Sequence, residues 1–519
     1  MSEPVNEYER EPVPEGARLG LRSFVGQYAG EHVAGTELMI GPLFVAAGVG
    51  AMDLLLGLLV GNLLAVLSWR FMTAPIAARA RLTLYYQLEK ICGRSLVTVY
   101  NTANGVMFTF LAGAMITVAA TALGVGFKFR MPGLGDLLPN SAGWVAAVLA
   151  MGVLFSLTAA FGYKALSRFA ALAAPWMIAL FAVFGLVGLR ELGVHSFADF
   201  WPLAKERIWT GGAPLAGQVK FTIWHVMFFA WFCNMAWHIG MADLTVLRYA
   251  RKASYGFASA AGMFVGHYMA WIAASILFAL QLHRDPSNTA VLPGPMAYGA
   301  CGLAGLACVV IAGWTTATPT LYRAGLAFQA VSPGWSRFRV TLGIGLVATV
   351  TAVFPLVAMK LLDFVALWGL ILMPMGAVLF MDFWVLPRLG LKANFAAATG
   401  RRAYAPAAAA WFATVAICLA LVLSGKPWFQ IYFVSLPGWF IASGLYVALS
   451  AMVQRGAHET PGFRRLARTV AIASLAGIVV PGLACLAGAA DLARVKAVLL
   501  ASTIAWFITA PLGFGGRGE

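Results

Sequence analysis

The stretch GQYAGEHVAGTELMIGPLF, residues 26–44, places Glu31, His32 and Glu37 inside an apolar run from about Leu19 to Arg70. A charged side chain in hydrocarbon costs about 2.5–3.5 kcal/mol on insertion scales. Three ionisable groups beside Gly35, Gly41 and Pro42 point to a helix that breaks and faces something polar. Glu37 could join a cation, hold a cationic substrate or carry a proton. Glu31 lies about one and a half turns earlier and could pair with an arginine, while His32 points to a different face. Thr315 and Thr316, in WTTATPTLYRAGLAFQ (314–329), are the second chemical group. Hydroxyl and carbonyl oxygens suit a hard cation such as sodium; the bland alternative is bonding back to their own helix.

The elements that position these groups are membrane helices. The chain of 519 residues is 61% hydrophobic and 11% charged, against about 25% charged in soluble domains. A span takes about 20 apolar residues. Fourteen segments qualify: 19–48, 51–69, 96–122, 143–162, 169–189, 221–246, 255–281, 298–322, 340–357, 361–386, 405–424, 430–451, 469–488 and 495–512. Residues 1–18 are acidic and proline-bearing and read as a cytoplasmic tail, not a signal peptide.

The net charge of +16 follows topology. With the amino terminus in the cytoplasm, 25 of the 36 Lys and Arg residues fall on that side, as the positive-inside rule requires. Lipid contact, not nucleic acid, is the expected use of this charge. Cys233, Cys301, Cys308, Cys418 and Cys485 lie in spans and Cys92 in a loop, without metal-ligand spacing and not as expected disulfides. His225 and His267 read as helix-packing groups, and Pro374 with Gly369 and Gly376 predicts a bend in segment 10. The stretch at 190–220, with Trp201 and Trp209, reads as an interfacial piece.

Segments 1–5 and 6–10 would run in opposite orientations, because five is odd, and inverted repeats of this kind build many transporters around interrupted helices. Segment 1 reads EHVAGTE at 31–37 and segment 6 reads NMAWHIGMAD at 234–243. Each sets a histidine five residues before an acid, His32 with Glu37 and His238 with Asp243. Breaks are expected near Gly35–Pro42 and Asn234–Gly240.

Segment 8, WTTATPTLYRAGLAFQ, resembles the nucleobase–cation symporter family, the cytosine, purine and hydantoin permeases. There a Trp-Ser/Thr-Thr pair precedes an asparagine-rich turn and a Leu-Tyr-Ser-Ala-Gly-Leu run. ADLTVLRYARK (242–252) is similar to that family's Asp-x-Thr-Arg-Phe-Ala-Lys segment, with the arginine displaced. MDLLLGLLVGNLLAVL (52–67) resembles its helix 2, and LLDFVALWGLILMPMGAVLFMDFWVLPR (361–388) its helix 10. The match covers roughly residues 20–452; the last two helices have no counterpart.

The resemblance implies an all-α membrane protein of the leucine-transporter fold, with inverted repeats over 19–189 and 221–386 and additional helices over 405–512. It implies a substrate held among helices 1, 3, 6 and 8, and sodium between helix 1, near Gly35 and Thr36, and the hydroxyls of Thr315 and Thr316. Substrate contacts are then expected from Glu37, Phe108, Phe110, Trp231, Asn234, Trp237 and Thr318. Asp243 with Arg248, and Asp382 with Arg388, are expected as gating ion pairs. This chain departs from the family pattern at ATPT (317–320), where the asparagine-rich turn would lie, and in ANGVMFTFLAG (103–113), which lacks the ring-stacking tryptophan. Asn234 offers two donors and an acceptor for an amide-bearing ring.

The leading expectation is cation-coupled uptake of a nucleobase-like heterocycle across the cytoplasmic membrane. Sodium or a proton would be the coupling ion, with no other cofactor, no nucleic acid and no catalytic site. The alternative is a transporter of cationic or zwitterionic amines, suggested by Glu37 and the missing amides. An outside alternative is an intramembrane metalloenzyme using Glu31, His32, His238 and Asp243, although no HExxH-type pair is present.

Overall fold

A computed structural model describes residues 7–456, 461–486 and 492–514. Helix dominates, because within hydrocarbon only intrasegment hydrogen bonds satisfy the backbone of a single span. Among the described residues ten helices are long and apolar enough to cross a membrane, from Ala51–Ala80 to Gly462–Ala484. The other four predicted segments are also present. Segments 1 and 6 are broken, segment 9 is the 16-residue helix Arg337–Ala352, and segment 14 is Leu492–Phe514. Segment 8 begins earlier than its apolar pattern suggested: it runs Pro293–Val331 with a kink at Cys301 and Gly302. Gly302 adopts φ 57°, ψ −138°, a conformation with little cost only for glycine. The 190–220 stretch contains the short helix Phe197–Leu203, opened by a capping box between Ser196 and Asp199.

The described chain forms two contact units. The first comprises residues 1–81, 104–233 and 245–365, and the second 82–103, 234–244 and 366–519. In the first unit close helix approach rests on glycines spaced four apart. Gly26 and Gly30 lie against Ala171 and Ala170, and Gly57 and Gly61 against Val226 and Ala230. Gly262 and Gly266 receive Tyr28 and His32. Apolar side chains on both sides of a contact gain nothing over lipid, so backbone proximity and dispersion hold such helices together. The outward face of Ala51–Ser68 stays apolar, with Leu56, Leu59, Val60 and Leu63 exposed.

The amino-terminal tail packs into the first unit. Glu7 is buried, and its carboxylate accepts from the hydroxyls of Tyr249 at 2.8 Å and Tyr322 at 2.9 Å and from the Tyr163 amide at 3.2 Å. Val13 is fully buried, and its amide donates to the Arg81 carbonyl.

In the second unit the backbone around Tyr404 joins that around Cys92, through Tyr404 N to Cys92 O and Ser95 N to Arg402 O. Trp411 Nε1 donates to the Ile371 carbonyl and Trp368 Nε1 to the Ala103 carbonyl. Segment 10 carries Pro374 inside Leu361–Phe380 and continues as a π-helical turn over Met381–Val385.

A Cβ added at Gly57 would lie 2.7 Å from Val226 Cβ and 3.0 Å from the Ile223 carbonyl. Gly57→Val is therefore expected to cost about 1–3 kcal/mol by overpacking. Gly444→Ala, where nothing lies within 4 Å, is expected to be neutral or slightly stabilising. Thermal unfolding of the purified protein in detergent separates the two.

Candidate functional site

Segment 1 is two half-helices, Leu21–His32 and Glu37–Ala46. The first ends at Val33 with φ −94°, ψ 61°. The break therefore covers Val33–Thr36 and lies upstream of most of the expected Gly35–Pro42 region. Gly41 and Pro42 fall inside the second half-helix. Gly41 is needed there for packing: a Cβ would meet the Trp271 carbonyl at 2.6 Å and the Ser275 amide at 2.8 Å. Ser275 Oγ donates to the Gly41 carbonyl at 2.7 Å. Gly35 lies in the break, where a Cβ would come 2.9 Å from Val118 Cγ1 and 3.4 Å from the Val309 carbonyl.

Beside this break the Thr316 hydroxyl meets carbonyls of two helices, while Thr315 Oγ1 bonds back to its own helix and faces Met177 Sδ at 3.7 Å. Thr315 Oγ1 lies 3.1 Å from the Ala312 carbonyl. Thr316 Oγ1 lies 2.8 Å from the same carbonyl and 3.1 Å from the carbonyl of Glu31. A hydroxyl has one proton, so the Thr316 oxygen cannot donate fully to both carbonyls. The carbonyls of Gly35 and Thr36, expected as ion ligands, instead accept from the amides of Leu38, Met39 and Ile40 that open the second half-helix. The helix 1 carbonyl that reaches the threonine pair is that of Glu31, because the helix ends one turn earlier than the glycine and proline suggested. Carbonyl and hydroxyl oxygens of this kind fit sodium.

Two carboxylates flank the break. Glu31 is bound in a fork by both terminal nitrogens of Arg323, with Arg323 Nη2 at 3.1 Å, and Gln27 Nε2 donates to it at 3.2 Å. Both members of this ion pair are buried. Glu37 opens the second half-helix, accepts a hydrogen bond from Trp271 Nε1 and lies 3.7 Å from His267 Nε2. Neither Arg323 nor Trp271 stands out by composition. The available signals were a cation two turns past Thr316 in an apolar segment, and a His–Trp pair at i, i+4 in segment 7.

Segment 6 also breaks. Ile223–Phe232 stops, Asn234 takes φ −117°, ψ 51°, and Met235–His238 follows. The Asn234 carbonyl accepts from the Trp237 and His238 amides. His32 and His238 each end a helical piece, and Glu37 and Asp243 stand at the start of the next. Asn234 and Trp237 belong to the second unit, whereas Glu37, Phe108, Phe110, Trp231 and Thr318 belong to the first.

Several expected site residues have packing partners instead. Phe110 stacks on Phe364 at 4.0 Å between centroids. Trp231 stacks on Phe232 and donates its indole N–H to Ser68. Thr318 bonds back to the Trp314 carbonyl. Phe108 is fully buried, 6.0 Å from the Arg323 guanidinium. The Arg248 guanidinium donates to the carbonyls of Glu7, Tyr8 and Thr245 and to the hydroxyls of Tyr249 and Tyr322. Asp382 accepts from Tyr446 at 2.7 Å and the Asn394 amide at 2.9 Å, while Arg388 lies over the Trp384 ring. At Asp382 these hydrogen-bond partners take the carboxylate that sequence spacing had paired with Arg388.

A cavity of about 490 Å³ adjoins the second half-helix, bordered by Met39, Pro42, Leu43, Phe278, Leu361 and Gln218.

No family model matches the chain, and no curated protein sequence matches it. Solved structures do. Mhp1, a nucleobase-cation-symport-1 family transporter in a closed conformation with bromovinylhydantoin bound, superposes with a TM-score of 0.61 at 14% identity. The match covers 86% of this chain and 96% of that one. The chain has the leucine-transporter fold. A sodium-coupled sialic acid symporter in a substrate-bound, outward-open state gives 0.60 at 12% identity, covering 87% and 92%. Mhp1 in an inward-facing conformation gives 0.58 at 14%, covering 88% and 95%. At these identities the likeness is one of fold.

Removing one member of a buried ion pair typically costs about 3–5 kcal/mol, whereas replacing both members costs much less. Arg323→Met is therefore expected to lower the melting temperature markedly, and Arg323→Met with Glu31→Gln to recover much of the loss. A double-mutant cycle by thermal unfolding measures the coupling.

Proposed function

We propose that the protein is a cation-coupled secondary transporter that takes up a small nucleobase-like heterocycle across the cytoplasmic membrane, with its amino terminus on the cytoplasmic side. The observation that carries this reading is the meeting of the Thr316 hydroxyl with the Glu31 carbonyl of segment 1 and the Ala312 carbonyl of segment 8, with Thr315 beside it. Sodium would be held there by oxygen ligands from two helices, so that its binding favours one arrangement of the half-helices over others. A ligand shifts a conformational equilibrium only by its differential affinity for the two states, and a site built across a helix break supplies such a difference.

Two separate observations support the substrate class. A cavity of about 490 Å³ with a mostly apolar border is of the size that small-molecule sites occupy. A structural neighbour, Mhp1, binds bromovinylhydantoin, an amide-bearing ring. The amine reading relied on Glu37 as a counter-ion. That carboxylate accepts from Trp271 and lies 3.7 Å from His267, and a neutral ring is the cargo we propose. Asn234 and Trp237, both in the second unit, remain the proposed ring-reading groups and do not border this cavity; the repeat boundaries 19–189 and 221–386 belong to the same reading.

The test is a thermal-stability screen of purified protein against nucleobases, hydantoins and amines, with sodium or with choline. Sodium is expected to raise the melting temperature of the wild type by mass action. Loss of one ligand at a cost of about 1.4 kcal/mol is tenfold in affinity, so Thr316→Ala is expected to weaken the sodium effect at least about tenfold. A sodium response unchanged in both Thr315→Ala and Thr316→Ala would remove the ion from this site.

A further inference from the structure

The second half-helix of segment 1 ends away from the break at Ala46, and the chain then turns through Gly48 at φ 63°. A helix end leaves carbonyls without intrahelical donors. Here residues 210–221, far along the chain, supply donors to this end. The Leu215 amide serves the Ala46 carbonyl at 2.8 Å, the Phe221 amide that of Ala47 at 3.1 Å, and the Gly211 amide that of Val49 at 3.2 Å. Gly50 and Thr210 pair as an antiparallel bridge. The Gly48 carbonyl is taken by the Lys220 ammonium, which also donates to the carbonyls of Gly211, at 2.6 Å, and Gly212. An ammonium has three donors, and each has a carbonyl here. The partial negative charge at a helix C-terminus also favours a cation in this place.

Residues 210–221 are thus a strap clipped to the second half-helix. Its ends are fixed: Ile208 and Trp209 before it are buried, and Thr222 after it caps the helix Ile223–Phe232. Its middle is held differently, because none of residues 210–220 is buried. Backbone hydrogen bonds and one lysine hold it, with little apolar burial. Segments of that kind lie at the low end of local stability and open without global unfolding. The approach is close nonetheless: a Cβ on Gly48 would lie 2.6 Å from the Gly212 carbonyl.

The strap also walls the cavity of about 490 Å³. Leu215, Ala216 and Gln218 border it from the strap, facing Met39, Pro42 and Leu43 of the half-helix. Leu215 belongs to both structures, with its amide on the Ala46 carbonyl and its side chain at the cavity border. All of these residues lie in the first unit. Among the described residues no charged side chain borders the cavity, so a charged ligand would lose hydration there without replacement.

We propose that residues 210–221 form a lid of this cavity, that Lys220 is the latch holding the lid to the second half-helix, and that release of the latch admits an uncharged ligand. Closed, the lid moves with the half-helix that carries its acceptors, so displacement of that half-helix either drags the strap or breaks the latch. Entry of a transported ligand by this route rests on the transporter reading above; the latch itself does not.

The experiment needs neither ligand nor sodium. Ala358 borders the cavity and is 1% exposed. Ala358→Cys is introduced into the wild type and into Lys220→Met, and maleimide labelling of each purified protein in detergent is timed by mass spectrometry of the labelled peptides. When opening is fast, labelling follows the open population. Loss of the latch is expected to speed labelling at position 358 at least about tenfold, equivalent to about 1.4 kcal/mol. Native Cys418, buried in the second unit, reports general loosening and is expected to label at the same rate in both proteins. A rate at position 358 unchanged by Lys220→Met, or a rise matched at Cys418, overturns the proposal. If Lys220→Met does not fold, Gly48→Ala, whose Cβ would press on the Gly212 carbonyl, reads the same opening. The sodium response of Thr316→Ala is measured separately, so failure of the latch and failure of the transporter reading give different results.

Discussion

The constraint on which the site depends is that an ionised carboxylate inside hydrocarbon must find its partner within the protein. Glu31 finds it in Arg323, seven residues beyond Thr316 on the same helix. This pair therefore does more than neutralise charge. It anchors the end of the first half-helix of segment 1 to segment 8, and that anchoring presents the Glu31 carbonyl to the Thr316 hydroxyl. One residue thus contributes its side chain to an ion pair and its main chain to the oxygen cluster. Buried polar groups are costly unless all are satisfied, so the helix break, the ion pair and the oxygen cluster stand or fall together.

The close approach that makes this possible comes from small residues, not from apolar bulk. In lipid an apolar contact has no advantage over the acyl chains it replaces. Glycine pairs at 26 and 30, 57 and 61, and 262 and 266 bring backbones together, and polar groups then fix register: Ser275 to the Gly41 carbonyl, Trp231 to Ser68 and Trp314 to Thr158. The glycines thus determine which helices meet, and the buried hydrogen bonds determine at what height.

Much of this architecture was legible in the sequence. Apolar length located fourteen segments, and the histidine-to-acid spacing marked the breaks of segments 1 and 6 within a few residues. The exact break in segment 1 was not legible, because Gly41 and Pro42 are strong local punctuation but here answer to segment 7 packing against the second half-helix. Partner identity was the least legible feature. Asp382 and Arg388 lie six residues apart, yet Tyr446, far along the chain, takes the carboxylate. His267 looked like packing because its significance depends on His32 and Glu37, more than 200 residues away. Arg323 was the readable signal that was missed: it occupies the position where the resembled run Leu-Tyr-Ser-Ala-Gly-Leu has serine, and an added buried cation demands an added buried anion.

The amino-terminal tail extends the same logic to the end of the first unit. Arg248 spends its donors on the carbonyls of Glu7, Tyr8 and Thr245 and on two tyrosine hydroxyls, and Glu7 returns acceptors to those same hydroxyls. Every bond in this network that involves the tail is one that water can replace. Among the described residues of the tail, Val13 is a fully buried apolar anchor. The network's members include the buried Arg248 and Glu7, and hydrogen bonds to charged groups are among the stronger ones. The Glu31–Arg323 pair is a direct ion pair between buried side chains, and separating it strands two charges. The fold thus holds its buried charge at two places, through hydrogen bonds from Arg248 and to Glu7 where the tail packs, and through a direct ion pair beside the helix break.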